Sequence, residues 1–259
     1  MAQANNSLWS NDRLLLLAKE PQTQELGLVG VDEAGRGALA GPVYAAAFWL
    51  PWRCFQADAA PVALSAIRDS KMMRPAAREA AVESIAAFAK TQDCAFAVAS
   101  ADVAEIESVN ILGATKLAMS RAIEQLGVDA GLQFNSNETS DMPLWQEQWG
   151  VQKSSHGVTL LIDGKPLRGF RWQHEALVGG DSRSLVISAA SVLAKVARDQ
   201  HMQQLATEFP HYGFEKHAGY GTLAHRKAIC EHGPCAQHRS LFLRKIVTTQ
   251  ESEFRSRKV

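Results

Sequence analysis

The chain has 259 residues, of which 46% are hydrophobic, so it is long enough to bury the core of one large domain. No apolar run approaches the roughly 20 residues that a membrane-spanning helix requires. The leucine run at residues 14–17 is too short for a secretory signal and has charged residues on both sides. We therefore expect a cytoplasmic protein with no membrane partner.

The formal net charge is zero, but the charge is unevenly distributed along the chain. Residues 1–159 contain 12 Lys and Arg against 18 Asp and Glu, whereas residues 160–259 contain 15 against 9, with seven histidines besides. The C-terminal part is therefore the more favourable surface for a polyanionic partner.

Hydrophobic periodicity predicts strands and helices in one chain, which is typical of an α/β domain. The predicted strands are residues 26–33, 43–50, 94–100, 158–162 and 176–178. The predicted helices are residues 76–90, 101–107, 112–126, 184–207 and 223–231, with a break near Asn110 and an end at Gly127. We divide the chain into an N-terminal extension, expected to be loosely ordered (1–25), a main α/β domain (26–208) with an insertion (127–157), a C-terminal helical region (209–245) and a charged tail (246–259).

The most informative stretch is residues 30–41, where Asp32 and Glu33 end an apolar strand and three glycines surround Arg36. Two carboxylates at the end of a buried strand are costly unless a cation compensates them, and hard divalent cations take carboxylate oxygens. Glycine permits close approach of the backbone to a ligand, and arginine suits phosphate. A solvated Asp–Glu pair followed by a glycine turn is the alternative interpretation of these residues.

Side chains alternate along a strand, so Asp32 and Glu33 converge only where the regular pleat breaks, which we expect at residues 34–37. The glycines also loosely resemble a dinucleotide-binding turn. That turn requires a helix next, whereas residues 42–50 are short and rich in Val, Tyr, Phe and Trp, which favours a strand.

Asp163 and Asp181 resemble the first pair because each follows a strand candidate and lies beside a glycine. Carboxyl ends of strands meet at one edge of an open α/β sheet, where ligands bind. Four carboxylates without histidine or cysteine favour Mg²⁺ or Mn²⁺, and two such ions about 4 Å apart can cleave a phosphodiester. Asp163 could equally belong to a turn, and Asp181 could cap the following helix.

The four cysteines show no paired spacing of the kind that binds metal. Cys230, His232 and Cys235 lie close in sequence, but a zinc site needs a further ligand, so ordinary thiols are favoured.

Several short motifs occur along the chain: Gly-Val-Asp-Glu-Ala-Gly-Arg-Gly at 30–37, Asp-Ser-Lys at 69–71, Asn-Ile-Leu at 110–112, Ile-Asp-Gly at 162–164, Gly-Asp-Ser at 180–182, Ile-Ser-Ala-Ala-Ser at 187–191, Arg-Asp at 198–199, Tyr-Gly-Phe at 212–214 and Gly-Tyr-Gly at 219–221. Taken together, these motifs resemble those of the bacterial ribonuclease HII family and occur in the order typical of that family, between about residues 27 and 244.

The resemblance implies a ribonuclease H-like fold, with a mixed five-stranded sheet flanked by helices and a C-terminal helical region that contacts substrate. It implies an endonuclease that cleaves 5′ to a ribonucleotide, in RNA–DNA hybrid or in duplex DNA containing single ribonucleotides. Two-metal-ion catalysis with Mn²⁺ or Mg²⁺ would leave a 3′-hydroxyl and a 5′-phosphate. A monomer is the family expectation.

The resemblance also implies residue roles. The family's metal-site acids fall on Asp32, Glu33, Asp163 and Asp181. The substrate-contacting positions are the loop Gly35, Arg36 and Gly37, which reads the ribose 2′-hydroxyl, Lys71 near the phosphates, and Tyr220 on the next nucleotide's sugar.

Some positions depart from the family pattern. Ala38 replaces a usual proline, and Gly179 stands where lysine is common. Asp199 lies well inside a helix, so we interpret it as a structural residue paired with a nearby base. Two alternative functions stay open: a non-catalytic nucleic-acid-binding protein of this fold, and a related nuclease acting on DNA junctions.

Overall fold

The computed structural model of the chain describes residues 2–18, 27–57, 59–91, 94–136 and 158–243, with side chains from residue 7 onward. Five strands in these residues form one mixed sheet with the order β3-β2-β1-β4-β5. In chain order the strands are β1 (Leu28–Ala34), β2 (Val43–Leu50), β3 (Ala95–Ala101), β4 (Thr159–Asp163) and β5 (Glu175–Leu177). β1 runs antiparallel to β2 and β2 antiparallel to β3, whereas β1, β4 and β5 run parallel.

Helices cover both faces of this sheet. In chain order they are α1 (Ala2–Leu17), α2 (Pro75–Ala89), α3 (Val103–Ala130), α4 (Leu185–Glu208), α5 (Phe214–His217) and α6 (Leu223–His232). The predicted break in α3 is present at Asn110, whose φ is 61°. The Asn110 side-chain oxygen accepts hydrogen bonds from the amides of Leu112 and Gly113, so it caps the second segment of the helix.

The central strand β1 is buried on both faces, which explains its almost unbroken apolar sequence. Leu28 packs in the core beneath α4, and Val29 and Val31 pack in the core beneath α3. Gly30 lies against α4 so closely that a Cβ would stand 2.2 Å from the Val186 carbonyl carbon. Only glycine permits this approach, which brings the start of α4 onto the strand that carries Asp32.

Helix α1 shows that the prediction of a loosely ordered extension is wrong for residues 2–18. Leu8, Trp9 and Leu16 are buried in the core beneath α4. The Trp9 ring stacks on Phe55 with centroids 6.3 Å apart, and its Nε1 donates to the Cys54 carbonyl at 3.3 Å. The buried residues are spaced as one helical face, but polar neighbours and the run at residues 14–17 obscure it in the sequence.

The C-terminal region adds a small third core formed around Met202, Tyr212 and Phe214, with residues from α6. α6 corresponds to the predicted helix at residues 223–231, and the short helix α5 lies before it.

The strand predictions are confirmed to within two residues, and the interpretation of residues 43–50 as a strand is confirmed. The predicted helix end at Gly127 is wrong, because α3 continues to Ala130 and ends at Gly131, which takes the left-handed conformation with φ 65°. Most of the predicted insertion (137–157) and the whole tail (246–259) lie outside the described residues. No helix among the described residues has the length and apolarity to cross a membrane.

Candidate active site

The four predicted acids lie at one edge of the sheet. Asp32 and Glu33 are near the end of β1, and Asp163 is the last residue of the parallel neighbour β4. The register pairs Val31 of β1 with Ile162 of β4. Asp32 and Asp163 are the next residues on these two parallel strands, so they lie side by side. Asp181 lies in a short 3₁₀ turn (Gly180–Ser182) after β5. The structure therefore brings together all four carboxylates from three separate segments.

β1 pairs regularly with β2 as far as Ala34, and the strand ends there, at the start of the segment 34–37 where the break was expected. Alternation therefore sends the Asp32 and Glu33 carboxylates to opposite sides of the strand. Each still experiences the negative charge of Asp163. Asp163 is thus an acid whose charge acts on both of the others.

The site accumulates unfavourable negative charge. Burial raises the pKa of Asp32 well above its ordinary value, and the charges of Glu33 and Asp163 raise it further. Burial also raises the pKa of Glu33 and of Asp163, and Asp181 adds to the latter. Desolvation and like charge both disfavour ionised carboxylates, so this edge of the sheet favours the binding of a positively charged ligand.

Hydrogen bonds offset part of this cost. The Gly180 amide donates to Asp163 Oδ1 at 2.7 Å, which ties the turn carrying Asp181 to β4. Lys71 Nζ lies 3.0 Å from Asp181 Oδ2, and Arg36 Nη1 lies 3.4 Å from Glu33 Oε1. Two of the predicted substrate-contacting residues therefore pair with two of the predicted acids.

The chemistry of the donor set fits a hard divalent cation, since all the available ligands are carboxylate oxygens. Among the described residues, no three His, Cys, Asp or Glu side chains already stand in positions that would hold a metal ion. The suggested cysteine–histidine zinc site is likewise not formed by the described residues.

Two serines, to which the sequence assigned no role, orient Asp32. The Ser191 hydroxyl on α4 hydrogen-bonds the Asp32 carboxylate. Ser70 Oγ lies 2.9 Å from Ser191 Oγ, and because Ser191 donates to Asp32, Ser70 must donate to Ser191. Ser70 is held in turn by Arg78, whose Nη1 donates to the Ser70 carbonyl at 3.1 Å. Both serines belong to the quoted motifs, which is the signal that could have found them.

The glycine loop packs against a buried arginine of α4. A Cβ at Gly35, where φ is +91°, would stand 1.8 Å from Arg198 Nε. Glycine is therefore required at this position for both backbone conformation and space. By contrast, a Cβ at Gly37 would meet nothing within 4 Å. The loop is rigid on its Arg198 side and open at Gly37, beside the exposed Arg36.

Two buried arginines hold the carbonyl groups of this loop. Arg198 donates to the carbonyls of Pro42 at 3.0 Å, Ala40 at 3.1 Å and Ala218 at 2.9 Å. Arg239 donates to the carbonyls of Gly41 at 2.9 Å, Ala38 at 2.9 Å and Arg36 at 3.1 Å. The sequence offered no local signal for this role, because the loop lies about 160 to 200 residues away along the chain.

Tyr220 lies at the rim of the site with its side chain partly exposed. Its ring lies 5.3 Å from Arg198 Cζ and 5.9 Å from Lys195 Nζ, measured to the ring centroid. The Gly219 carbonyl beside it accepts from the Leu39 amide at 2.8 Å, so Tyr220 and the glycine loop are connected.

A chain of neutral histidines fixes the Tyr220 backbone. His225 Nδ1 lies 3.0 Å from the Tyr220 carbonyl, so Nδ1 carries the proton and Nε2 is the acceptor. His238 Nε2 lies 3.1 Å from His225 Nε2 and must donate to it. His238 Nδ1 then accepts from the Cys235 amide at 3.0 Å. Burial lowers the pKa of His225 to about 4, in agreement with two neutral rings.

Asp199 is paired as predicted for a structural residue. Its Oδ1 accepts from Lys195 Nζ at 2.6 Å and its Oδ2 accepts from Arg78 Nη2 at 3.3 Å. These two bases compensate its charge, so it differs from the four acids at the sheet edge.

Solved structures share the architecture of this sheet and its helices. The crystal structure of ribonuclease H2 from Pyrococcus horikoshii OT3 matches with a TM-score of 0.58 and 19% identity, covering 88% of this chain and 98% of that one. Bst-RNase HIII, solved in complex with Mn²⁺, matches with a TM-score of 0.54 and 19% identity, covering 88% and 71%. The fold therefore defines a protein of the ribonuclease H-like class, as predicted.

Sequence comparison makes the assignment more specific. Residues 29–140 and 164–245 match the family Ribonuclease HII. The Ribonuclease HII of Burkholderia mallei (strain SAVP1) is 43% identical over 213 residues, which are 82% of this chain and 81% of that relative. The chain belongs to the ribonuclease HII family, and it is a ribonuclease H endonuclease that acts on nucleic acid. The predicted family and enzyme class are confirmed.

Proposed function

We propose that the enzyme hydrolyses the phosphodiester bond 5′ to a ribonucleotide, in RNA–DNA hybrid and in duplex DNA containing single ribonucleotides, leaving a 3′-hydroxyl and a 5′-phosphate. The observation that carries this proposal is the meeting of Asp32, Glu33, Asp163 and Asp181 at one sheet edge. The open Arg36–Gly37 segment lies directly after the first two acids.

The four carboxylates are the proposed ligands of two Mn²⁺ or Mg²⁺ ions. A cation among them would relieve the desolvation and repulsion that raise the pKa of Asp32, Glu33 and Asp163. A fold relative, Bst-RNase HIII, was solved in complex with Mn²⁺. When bound, such ions supply activation of the attacking water and stabilisation of the leaving oxygen. Ser191 keeps the Asp32 carboxylate oriented while this occurs.

Selection of a ribonucleotide is proposed to lie in the Gly35–Gly37 loop. Arg239 holds the Arg36 carbonyl within the loop, and Arg198 and Arg239 hold the carbonyls just after it, so the loop meets substrate in one conformation. The ribose 2′-hydroxyl both donates and accepts, and backbone groups that are rigidly placed can read it. Gly37 leaves the space that the sugar requires.

Tyr220 and Lys71 are the proposed contacts on either side of the scissile bond. The exposed face of Tyr220 suits packing on the sugar of the next nucleotide. Lys71 is 77% exposed and paired with Asp181, so it can move to a substrate phosphate when a cation takes its place. The C-terminal region (209–245) carries Tyr220 and is the proposed docking surface for the duplex.

The experiment uses three end-labelled duplexes that share one sequence: all DNA, DNA with one ribonucleotide, and RNA–DNA hybrid, each with Mn²⁺ or Mg²⁺. We expect cleavage of the second and third duplexes only. The duplex with a single ribonucleotide should be cut once, on the 5′ side of that ribonucleotide, and the cut should leave a 3′-hydroxyl and a 5′-phosphate. Binding without cleavage in either metal would indicate a non-catalytic protein. Cleavage of the all-DNA duplex would indicate a DNA nuclease and contradict the proposal.

A further inference from the structure

Helix α1 precedes both segments that match the family, yet it is built into the fold. The matching residues begin at 29, whereas α1 spans Ala2–Leu17. Its apolar residues Leu8, Trp9 and Leu16 are 7%, 3% and 0% exposed. A helix held this firmly places its polar residues at defined positions, and two of them reach the segment that carries Asp181.

The first contact comes from Asn11, whose Nδ2 donates to the Arg183 carbonyl at 2.9 Å. The second comes from Asp12, whose Oδ2 accepts from the Val186 amide at 3.1 Å. The partners are separated by 172 and 174 residues in the chain. These adjacent residues of α1 therefore hold two backbone groups, the Arg183 carbonyl just before α4 and the Val186 amide in its first turn. We name Asn11 and Asp12 together the α1 clamp.

The start of α4 needs this clamp because its own cap serves only one amide. Ser184 is the N-cap residue, and its hydroxyl accepts from the Ile187 amide at 3.3 Å. The Val186 amide is left to Asp12, which is wholly buried. A carboxylate at a helix N-terminus is favoured by the helix dipole, which offsets part of the cost of burying it.

The clamped segment runs directly into the candidate metal site. Asp181 lies two residues before Arg183, inside the turn Gly180–Ser182. The Ser184 amide donates to the Gly180 carbonyl at 2.8 Å, and the Gly180 amide donates to Asp163 Oδ1 at 2.7 Å. A continuous hydrogen-bonded path therefore joins α1, the start of α4, the turn with Asp181, and Asp163.

We propose that α1 is a positioning element of the active site, in which Asn11 and Asp12 fix residues 180–186 and so hold Asp181 at the place where it shares a cation with Asp163. This inference rests on the proposed function, because it takes Asp181 as a cation ligand. Neither clamp residue touches substrate or cation; both act through the backbone of the segment that carries the acid.

Three variants of the full chain test the clamp: Asp12→Ala, Asn11→Ala and Asp12→Asn. The asparagine keeps an oxygen that can accept from the Val186 amide, so this variant retains the hydrogen bond and removes the charge. Leu14→Ala is the matched control, because Leu14 is on the same helix and 65% exposed.

Hydrogen–deuterium exchange of residues 180–187 is measured first, and Mn²⁺ binding without substrate is measured by the electron paramagnetic resonance of free Mn²⁺. We expect about tenfold faster exchange at Val186 in Asp12→Ala, corresponding to one lost hydrogen bond, and a severalfold weaker affinity for Mn²⁺. Asn11→Ala should show smaller changes in the same direction, and Asp12→Asn should lie close to the native protein.

Unchanged exchange over 180–187 in both alanine variants would overturn the inference. Equal loosening in Leu14→Ala would also overturn it, because the effect would then be general destabilisation. Should Asp12→Ala fail to fold, Asn11→Ala decides, since its contact is at the surface. A native protein that binds no Mn²⁺ would overturn the proposed function instead, while the exchange result would still decide the clamp.

Discussion

Two regions of the molecule bury charge in opposite ways. At the sheet edge, Asp32, Glu33 and Asp163 are carboxylates whose burial and neighbours raise the pKa of each. Around the glycine loop, Arg198 and Arg239 are fully buried, but each donates three hydrogen bonds to backbone carbonyls. Within the described residues, Arg36, Lys71 and a few hydrogen bonds compensate the acids only in part, whereas each arginine is held by three carbonyl acceptors.

This difference distinguishes residues that bind a ligand from residues that hold the fold together. A buried charge with satisfied hydrogen bonds is structural, and removing it leaves its former partners without hydrogen bonds. A cluster of carboxylates without a bound cation destabilises the fold. Such clusters occur at functional sites, where a bound ligand compensates their charge. On this basis, replacing one of the acids should abolish activity without lowering stability. Replacing one of the buried arginines should mainly lower stability.

The largest expected effect is the loss of cleavage in Asp32→Asn. We expect a decrease of about 10³-fold or more in kcat on the single-ribonucleotide duplex, because a proposed ligand of the two metal ions is lost. Thermal unfolding without metal should occur at the same or a higher temperature, since a buried charge near Glu33 and Asp163 is removed. Asp199→Asn serves as the comparison at a carboxylate that Lys195 and Arg78 compensate. Substantial cutting by Asp32→Asn in Mn²⁺ would remove Asp32 from the ligand set.

The second effect concerns the arginine region, where Arg198→Met should lower the free energy of unfolding by about 3 kcal/mol. The substitution leaves the carbonyls of Ala40, Pro42 and Ala218 without their donor in a buried place. Urea unfolding measures the change. Arg36→Met is the matched comparison, because the Arg36 side chain is 52% exposed and its loss should cost little stability. Equal stability of the two variants would refute the distinction between holding and binding residues.

A smaller effect is expected from pH at the histidine chain beneath Tyr220. The folded-state pKa of His225, about 4, lies below the unfolded value of about 6.5, so its contribution to stability is present above pH 6.5 and is lost as the pH falls toward 4. The native protein should therefore lose about 1–2 kcal/mol more than His225→Asn between pH 7 and pH 5. The difference between the two proteins isolates this group from others that titrate. A pH-independent difference would show that the neutral ring is not required.

The smallest effect is expected at the serine that orients Asp32. Ser191→Ala should lower kcat about tenfold with little change in KM, because one hydrogen bond to the Asp32 carboxylate is lost. Ser188→Ala is the control one turn earlier on α4, where the buried hydroxyl has no hydrogen-bond partner within the described part of the chain. Equal losses in both variants would indicate damage to the packing of α4 rather than to the orientation of Asp32.

Much of this arrangement could be predicted from the sequence, because its signals are local. β1 and β2 are apolar runs bounded by glycine and proline. Asp32 lies near the end of β1, and Asp163 and Asp181 each lie beside a glycine at or after the end of a strand. Parallel strands place such ends at one edge of a sheet, so the meeting of the acids follows from topology.

The remainder depends on contacts between distant residues that carry no local signal. Arg198 and Arg239 look like ordinary surface bases until the carbonyls that they satisfy are known. Asp12 shares the buried face of α1 with three apolar residues, but its charge hides that face, and its partner amide is 174 residues away. Helix α1 was missed for this reason.

Thermal unfolding with and without Mn²⁺ tests the central claim most directly, because it asks whether a cation relieves the charge at the sheet edge. The charge of Asp163 acts on both Asp32 and Glu33, so Asp163→Asn is the informative variant. We expect Mn²⁺ to raise the melting temperature of the native protein and to leave that of Asp163→Asn almost unchanged. Equal stabilisation of both proteins, or of neither, would contradict the assignment of these carboxylates as the cation site.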